Sequence, residues 1–574
     1  MNEHIKKQYL PFLLLGLCTV ILLIKTQYSF CWSDETFYAS TTNRFLQGDG
    51  IFLHEWFPTQ LVSLILMPFQ SAFTTITGSS DGVILFFRIC YVIYAFLLSI
   101  IIYRILVNDY KPFTALCCSL FYLFYAHLNI ATMSYYTLSV GFYLLAMLLI
   151  YHGLNHSPII FRRIYILAGI SFAASVICLP TMAVAYFLCA ALLVLCSIRK
   201  KALRSIFPYT LIGICLLALV TMLFILSRVS MMDLIHNLPY ILSDEEHTTS
   251  LVYPFKKFFI SIHEVYGSFT YASYALILFC LLLGRKISEK VKIVLTILDT
   301  ILFLAFFVFS IGHTGYISTA LILFALPLYF MTEKRNCSLF FLLYLAGLVF
   351  SMVFSYSSNG YLYIMTLGHS ISAIGAICFL RDYMTEISAN WDSKAAAQIL
   401  SIVCVTVTMI VVFQTMTLRM VNIYRDAPMN ELTEKITQGP AKGLYTTLEH
   451  KESYDEIYTA IQEHANDDGY IFFTKLMPWG YLATDMRCGA PTTWRTPFNS
   501  ERLKLYYEAN PERIPDIIFV MNEEVGSYET CGDVVADPCP NQNEMGGWLL
   551  DYVTKQEYET ITFSSGKILK RPVK

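Results

Sequence analysis

Long apolar segments separated by short polar ones repeat along the first 417 residues of this 574-residue chain. Each segment approaches the ~20 residues that a helix needs to cross a bilayer. Thirteen can be placed, with Pro180 taken as a turn between two short ones. They lie at 9–24, 82–103, 112–129, 137–152, 164–180, 181–198, 206–227, 268–284, 291–311, 316–331, 337–354, 360–380 and 397–417. The pattern predicts a polytopic α-helical membrane protein with about 13 transmembrane helices.

Basic residues fall in alternate short loops between these segments. The clusters are Lys6–Lys7, Arg104 with Lys111, Arg162–Arg163, Lys200–Lys201 with Arg204, Arg285–Lys286 with Lys290, Lys334–Arg335, and Arg381 with Lys394. Because lysine and arginine collect on the cytoplasmic side, we expect a multi-pass protein of the cell membrane with a cytoplasmic N-terminus. Two long loops, at about 30–81 and 228–267, and the tail from residue 418 then face outward.

Composition agrees with the membrane class and divides the chain in two. The chain is 56% hydrophobic and 14% charged, with a mean hydropathy of +0.55, whereas soluble domains carry ~25% charged residues. From Arg419 onward there are 24 acidic and 16 basic residues, so 40 of the 82 charges lie in the last 156 positions. We therefore expect a membrane domain at 1–417 and a soluble extracytoplasmic domain at 418–574. The formal net charge of -2 does not indicate a nucleic-acid partner.

The tail alternates helical and strand patterns. Helices are predicted at 449–465 and 501–508, strands at 470–474 and 516–521, and a closing pair of strands at 557–570. This order predicts a small α/β domain, and it contains neither a glycine-rich phosphate loop nor a nucleophile-elbow pattern. We expect it to cover a site or dock an acceptor. Cys531 and Cys539 could close a disulfide in an external domain, with Cys488 free or replacing one of them.

An acidic pair, Asp34–Glu35, follows the first apolar segment by a few residues. Carboxylates this close to the hydrocarbon edge lose hydration and are retained mainly where they have a function. The same loop adds Arg44, His54 and Glu55, and its apolar stretch from about 60 to 73 suits a helix lying in the membrane interface.

The second outer loop adds cations and histidines, namely Arg228, His236, Lys256 and Lys257. Its Asp244–His247 cluster reads as a solvated face. Carboxylates in one loop and cations in another suit group transfer from a phosphate.

In layout the chain resembles the membrane-embedded GT-C-type glycosyltransferases, and most of all the lipid A aminoarabinose transferases and protein O-mannosyltransferases. The matching features are Asp34–Glu35 after the first span, the membrane-hugging segments that follow, the thirteen spans and the external C-terminal domain. The resemblance implies a polyprenyl-phosphate sugar donor, a protein, lipid or cell-wall glycan acceptor, and inversion at the anomeric carbon. It makes Asp34 the candidate base, with Glu35 beside it.

A second local match concerns the donor phosphate. His54–Glu55–Trp56–Phe57–Pro58 resembles a stretch of the aminoarabinose group in which Glu-Lys precedes proline, but Trp56 stands where that lysine would be. The phosphate-binding cation is therefore left open among Arg44, His54, Arg228, Lys256 and Lys257. The turn from Asn129 to Tyr136 lacks the further acid that some relatives carry. A divalent metal cofactor is accordingly left open as well.

Two other classes remain as alternatives. A transporter or lipid-linked-glycan flippase would also have many spans, but its charged residues tend to lie near the middle of the membrane. Here most ionisable residues lie at loop depth, and a large outer tail is unusual for a transporter. A glycan ligase or polymerase would share the lipid-linked donor, and the long central second loop weakly favours transfer of a single sugar.

Overall fold

The computed structural model of the chain describes residues 3–156, 161–197, 206–242, 253–356, 361–465, 468–474, 477–494, 500–522 and 545–572. Three residues or groups named above lie outside these ranges: Lys200–Lys201 with Arg204, the Asp244–His247 cluster, and the pair Cys531 and Cys539. Cys488 is described and is a free, buried thiol.

Helices occupy most of the described part of the first 421 residues. In chain order they are α1 (Glu3–Lys25), α2 (Asp34–Leu46), α3 (Val62–Thr77), α4 (Val83–Leu106), α5 (Pro112–Phe124), α6 (Tyr135–His156), α7 (Phe161–Cys178), α8 (Met182–Ser197), α9 (Ile206–Leu226), α10 (Met231–Leu242), α11 (Tyr253–Tyr266), α12 (Phe269–Leu283), α13 (Glu289–Ser310), α14 (Tyr316–Met331), α15 (Cys337–Leu339), α16 (Ala346–Tyr356), α17 (Leu362–Asn390) and α18 (Lys394–Val421). A π-helical turn, Phe340–Leu345, joins α15 to α16.

The helical body confirms the predicted class. Every one of the thirteen predicted segments coincides with a helix or, at 337–354, with the continuous run from α15 to α16. Within the described ranges, seven helical segments are long and apolar enough to cross a membrane, and α11 with α12, bent by 120°, would form an eighth. The full number of thirteen crossings stays a prediction.

Hydrogen bonds join loops and helix ends at each of two ends of this body. At one end, Tyr110 bonds Asp382, Tyr151 bonds Asp109, and the Glu289 carboxylate accepts from the backbone of Asp392 and Ser393. At the other end, the end of α1, the start of α4 and the end of α18 meet. Which end faces the cytoplasm stays a prediction.

The two long loops contain more helix than expected. The helix predicted at about 60–73 is present as α3, but the sequence reading did not anticipate α2, α10 or α11. Helix α2 escaped notice because polar residues fill it, even though eleven of its thirteen residues are buried. Its burial comes from neighbouring segments and leaves no apolar periodicity in its own sequence.

The tail forms the predicted α/β structure. Its elements are β1 (Glu434–Lys435), β2 (Tyr445–Thr446), α19 (Leu448–His464), β3 (Tyr470–Phe473), β4 (Arg487–Cys488), α20 (Ser500–Ala509), β5 (Ile517–Met521), α21 (Gly546–Lys555), β6 (Glu559–Phe563) and β7 (Gly566–Lys570). The main sheet has the order β4-β3-β5-β7-β6, with β3 parallel to β4 and β5 and the β6–β7 hairpin antiparallel. The predicted helices and strands are thereby confirmed, with β1, β2, β4 and α21 in addition.

The tail docks on the chain that leaves α1. The backbone of Ser29 donates to the Tyr445 carbonyl at 2.9 Å, and that of Tyr445 donates to Gln27 at 2.7 Å. The Asp426 carboxylate accepts from the backbone N–H of Phe30 at 2.6 Å and from the Thr446 hydroxyl. These bonds hold the segment that leads into α2 against the tail.

Close helix packing in the body depends on glycine. Helices α16 and α17 cross at Gly347 and Gly368, where a Cβ on Gly368 would stand under 3.0 Å from the Gly347 carbonyl and the Ser351 backbone. Small residues permit this approach, which is a common device where apolar helices pack in a membrane. Gly16 on α1, by contrast, has open space at its Cβ position.

We predict that Gly368→Ala destabilises the protein by roughly 1–3 kcal/mol, because a methyl group cannot enter the crossing without separating two backbones. Gly16→Ala is the matched control and should leave the Tm unchanged or raise it, since alanine has the higher helix propensity. Thermal unfolding of detergent-solubilised protein measures both. Equal Tm values for the two variants would contradict the close crossing.

Candidate functional site

Asp34 is the first residue of α2 and lies buried where the helical body meets the tail. The Tyr424 hydroxyl donates to its Oδ2 at 2.5 Å, and Nη1 of Arg425 lies 3.1 Å from the same oxygen. Arg425 also donates to Ser33 Oγ at 2.7 Å. Within the described chain, Asp34 Oδ1 has no hydrogen-bond partner. One oxygen of the carboxylate is therefore anchored and the other is free to accept a proton.

The Tyr424 hydroxyl, which donates to Asp34, holds its proton firmly. Burial, and then the neighbouring Asp34 carboxylate, raise the pKa of the Tyr424 hydroxyl well above its ordinary value. Tyr424 therefore keeps its proton and its role as donor at neutral pH. Arg425 adopts a left-handed backbone conformation, with φ of 47°, which is uncommon for a residue other than glycine.

Glu35 has different partners from Asp34. Nε of Arg88, on α4, lies 3.2 and 3.1 Å from its two oxygens, and Nη2 donates to Glu35 as well. The same guanidinium donates to the carbonyls of Thr26, Tyr28 and Ser29. Both side chains are buried, so this is an internal ion pair with most of its hydrogen bonds made. The geometry favours a positioning role for Glu35 next to Asp34.

Arg44, His54 and Glu55 come together in a buried ionic network with the tail, and their predicted role in binding the donor or acceptor stays a prediction. Arg44 lies 2.5 Å from Asp49 and 3.1 Å from Glu55, and it donates to Tyr506 Oη at 2.9 Å. Arg513 of the tail donates to Asp49 at 2.6 and 2.9 Å and to His54 Nδ1 at 2.9 Å. Glu55 also accepts from the backbone N–H of Thr493 at 3.2 Å. These charges bind one another across the junction between loop and tail.

The environment sets the protonation of this network. Burial by itself would raise the pKa of Asp49, but Arg44 and Arg513 hold it below its ordinary value. Burial, and then Arg513, lower the pKa of His54 to about 3. His54 is therefore neutral, and its Nδ1 accepts from both Arg513 and the Gly50 backbone. For Glu55, burial outweighs Arg44 and raises the pKa.

Trp56, at the position where the resemblance would place a lysine, belongs to the core of the same junction. Its side chain is fully buried, stacks on Tyr240 of α10 at 4.9 Å, and meets the edge of Tyr506 at 5.1 Å. Position 56 therefore serves packing between the two outer loops and the tail.

The cations and the histidine of the second outer loop differ in their exposure and in their contacts. Arg228 is exposed after α9 and donates to the Phe45 carbonyl at 2.6 Å. His236 is exposed on α10, its ring 6.1 Å from that of Tyr240. Lys256 is exposed on α11, whereas Lys257 is buried with its Nζ 5.2 Å from the Tyr361 ring. Their roles in binding stay predictions.

A small pocket lies next to Glu35 and brings in residues that the sequence reading missed. Its lining includes three cations, Lys25, Arg88 and Arg419, and also Asn129 and Tyr424. Lys25 ends α1, Arg88 lies in the second turn of α4, and Arg419 lies in the last turn of α18. Arg88 could have been noticed, because an arginine inside an apolar span is a functional signal by default. Lys25 and Arg419 read as ordinary helix-end charges.

A metal site can be tested on the described residues. Among them, no group of three or more His, Cys, Asp or Glu side chains is placed to hold an ion. Asp34 instead has a cation, Arg425, at its anchored oxygen. Whether the protein needs a divalent metal ion is a question for experiment.

No family model matches this chain, and no curated protein matches it. Among solved structures, the chain is similar to the archaeal oligosaccharyltransferase AglB from Archaeoglobus fulgidus, solved in complex with an inhibitory peptide and a dolichol-phosphate. The sequence identity is 10% and the TM-score is 0.47, over 90% of this chain and 70% of that one. This is a distant backbone likeness, and we draw function from this chain's own residues.

We predict that His54 makes stability fall with acidification. Its pKa is about 3 in the folded state and ~6.5 when unfolded, so the unfolded chain binds more protons as the pH drops from ~6.5 toward 3. His54→Asn keeps an acceptor for Gly50 and Arg513 but cannot titrate. Its Tm should therefore change less than that of the wild type between pH 6.5 and 4.5, above the range in which Asp49 takes up a proton.

The exposed His236 supplies the control. His236→Asn should follow the wild-type Tm at every pH in this window. If His54→Asn shows the same pH dependence as the wild type, His54 is not held neutral by this network.

Proposed function

We propose that this chain is a membrane glycosyltransferase that moves a sugar from a polyprenyl-phosphate donor to an acceptor hydroxyl at the outer face of the membrane. The observation that carries the proposal is the carboxylate of Asp34, buried at the end of the helical body, with Oδ2 held by Tyr424 and Arg425 and Oδ1 free. The layout resemblance of the whole chain supports the same class.

In the proposed reaction Asp34 is the general base. The acceptor oxygen attacks C1 of the sugar from the face opposite the phosphate, the C1–O bond to phosphate breaks, and Asp34 Oδ1 takes the hydroxyl proton. The anomeric centre inverts, and polyprenyl phosphate leaves with the bonding electron pair. A base must lie within hydrogen-bond reach of the proton it removes, and a carboxylate with one anchored oxygen presents the other in a fixed direction.

Surrounding residues would assist without reacting. Tyr424 and Arg425 orient the carboxylate, and the Glu35–Arg88 pair fixes the start of α2 against α4. Tyr38, Tyr135 and Tyr136 pack beside one another near Asp34, with ring centroids 5.7 Å apart for the first two and 4.0 Å for the last two. Such a wall excludes water, which strengthens electrostatic interactions at the reacting atoms.

The carrier explains why no nucleotide site is required. A sugar joined to a lipid phosphate is already activated and reaches the enzyme within the bilayer. Hexose and pentose donors, and protein, lipid or cell-wall glycan acceptors, all fit this scheme.

We predict that Asp34→Asn lowers transfer by roughly 10²–10⁴-fold, because the amide cannot take the proton. Purified protein in detergent is given a panel of radiolabelled polyprenyl-phosphate sugars, with membrane extract as acceptor. Release of polyprenyl phosphate is measured with and without a chelator, which also tests metal dependence. Asp81→Asn, which removes an outer carboxylate paired with Lys442 instead of with Tyr424, is the matched control and should transfer normally.

Each outcome separates the alternatives. Transfer that survives Asp34→Asn would keep the enzyme class and discard Asp34 as base. No release by folded wild-type protein with any donor would contradict the glycosyltransferase, and flux of the donor across proteoliposomes would then favour a flippase.

A further inference from the structure

The cavity beside Glu35 carries an imbalance of charge. Of the three cations that line it, Arg88 has a carboxylate partner, Glu35. Lys25 Nζ donates to the carbonyls of Met420 at 2.5 Å and Asn422 at 3.2 Å. Arg419 Nη1 contacts the carbonyl and the side-chain oxygen of Asn129 at 3.4 and 3.2 Å. Within the described chain, neither Lys25 nor Arg419 has a carboxylate within salt-bridge distance.

Both of these cations are buried. Lys25 is 7% exposed and Arg419 is 3% exposed, yet each uses part of its donor capacity on neutral oxygens. The five N–H groups of the Arg419 guanidinium meet a single residue, Asn129, in the described chain. Buried charge without an opposite charge is costly, and it is retained where an anionic group compensates it.

We propose that this cavity binds the phosphate group of the lipid carrier, with Lys25 and Arg419 as its ligands. The inference rests on the proposed glycosyltransferase function and supplies the cation that the sequence left unassigned. Arginine and lysine are the residues that bind phosphate oxygens most strongly, through charge-assisted hydrogen bonds. Their long side chains can adjust around an entering group.

Two residues that line the cavity, Glu35 and Tyr424, connect it to the proposed base. Glu35, which lines the cavity, follows Asp34 in the chain, and Tyr424, which also lines it, donates its hydroxyl to Asp34. A phosphate held by Lys25 and Arg419 would therefore have its sugar close to the Asp34 carboxylate. This arrangement separates the base from the leaving group, as an in-line displacement requires.

The positive charge of the cavity matches the negative charge of the released polyprenyl phosphate better than that of the donor. The donor is a phosphodiester with one negative charge, whereas the released polyprenyl phosphate is a monoester that carries between one and two at neutral pH. Burial, and then Arg419 and Arg88, lower the pKa of Lys25 to about 7. A phosphate beside it favours the protonated lysine, so Lys25 and Arg419 together bind the developing charge more strongly as the C1–O bond breaks, which is how binding energy lowers a barrier. We expect polyprenyl phosphate to bind more tightly than the sugar-bearing donor.

The test measures binding apart from catalysis. Full-length protein in maltoside micelles, which contain no phosphate, is titrated with short-chain polyprenyl phosphate, the matching polyprenol and inorganic phosphate, and Tm and Kd are followed by tryptophan fluorescence. Polyprenyl phosphate should raise the Tm and polyprenol should not. Arg419→Gln and Lys25→Gln should each weaken binding by roughly tenfold or more, the loss of one charged hydrogen-bond donor.

Two further variants separate binding from folding. Arg419→Lys keeps the positive charge and should bind more tightly than Arg419→Gln. Lys292→Gln removes a buried lysine of α13 that does not line the cavity and should bind like the wild type. If Arg419→Gln and Lys25→Gln remain folded and bind polyprenyl phosphate with unchanged Kd, the assignment is wrong. Equal stabilisation by inorganic phosphate at the same concentration would overturn the lipid source and leave a free-phosphate site.

Failure of this inference differs from failure of the proposed function. Transfer by the wild type with an unchanged donor KM in Arg419→Gln would overturn the cavity and keep the enzyme. Arg419-dependent binding of polyprenyl phosphate without transfer of any sugar would support the cavity and overturn the transferase. Asp34→Asn should bind polyprenyl phosphate like the wild type, since it removes the base and leaves Lys25 and Arg419 in place.

Discussion

The guanidinium of Arg88 is the point on which the candidate site depends. It lies inside an apolar helix and binds Glu35 together with three backbone carbonyls of the segment just after α1. Breaking such a buried pair by removing one partner commonly costs about 3–5 kcal/mol, because the remaining charge is left without compensation. The pair therefore fixes α1, α2 and α4 relative to one another, and Asp34 takes its position from that arrangement.

Acidic residues of the first outer loop divide between two tasks, and their partners decide which. Asp49 binds an arginine from each side of the junction between loop and tail, and Glu55 binds Arg44 of the loop and the Thr493 backbone of the tail. Their hydrogen-bonding capacity therefore goes into holding the tail in place. Asp34 meets a tyrosine and a partly exposed arginine at one oxygen and keeps the other open. The loop thus uses Asp49 and Glu55 for assembly, whereas Asp34 is the carboxylate that the proposed reaction requires.

The tail is part of the site's construction. Tyr424 and Arg425 belong to the segment that leaves α18, and Asp426, Tyr445 and Arg513 secure that segment and the tail to the first outer loop. Because these contacts join residues almost 400 positions apart, the anchored oxygen of Asp34 exists only in the assembled protein. The same assembly encloses the cationic cavity, where a low dielectric makes each charge count for more than it would in water.

The sequence by itself determined the helical body, the alternation of its loops and the α/β elements of the tail, because apolar run length and residue periodicity are local properties. It also singled out Asp34, since a carboxylate near the hydrocarbon edge is conspicuous along the chain. Tertiary structure decided the partners of each residue: Glu35 binds Arg88, Trp56 lies in the core, and Lys25, Arg419 and Tyr424 line one pocket with Glu35. Such pairings join residues distant in sequence, and no local pattern of hydrophobicity or charge records which distant side chains will share a buried space.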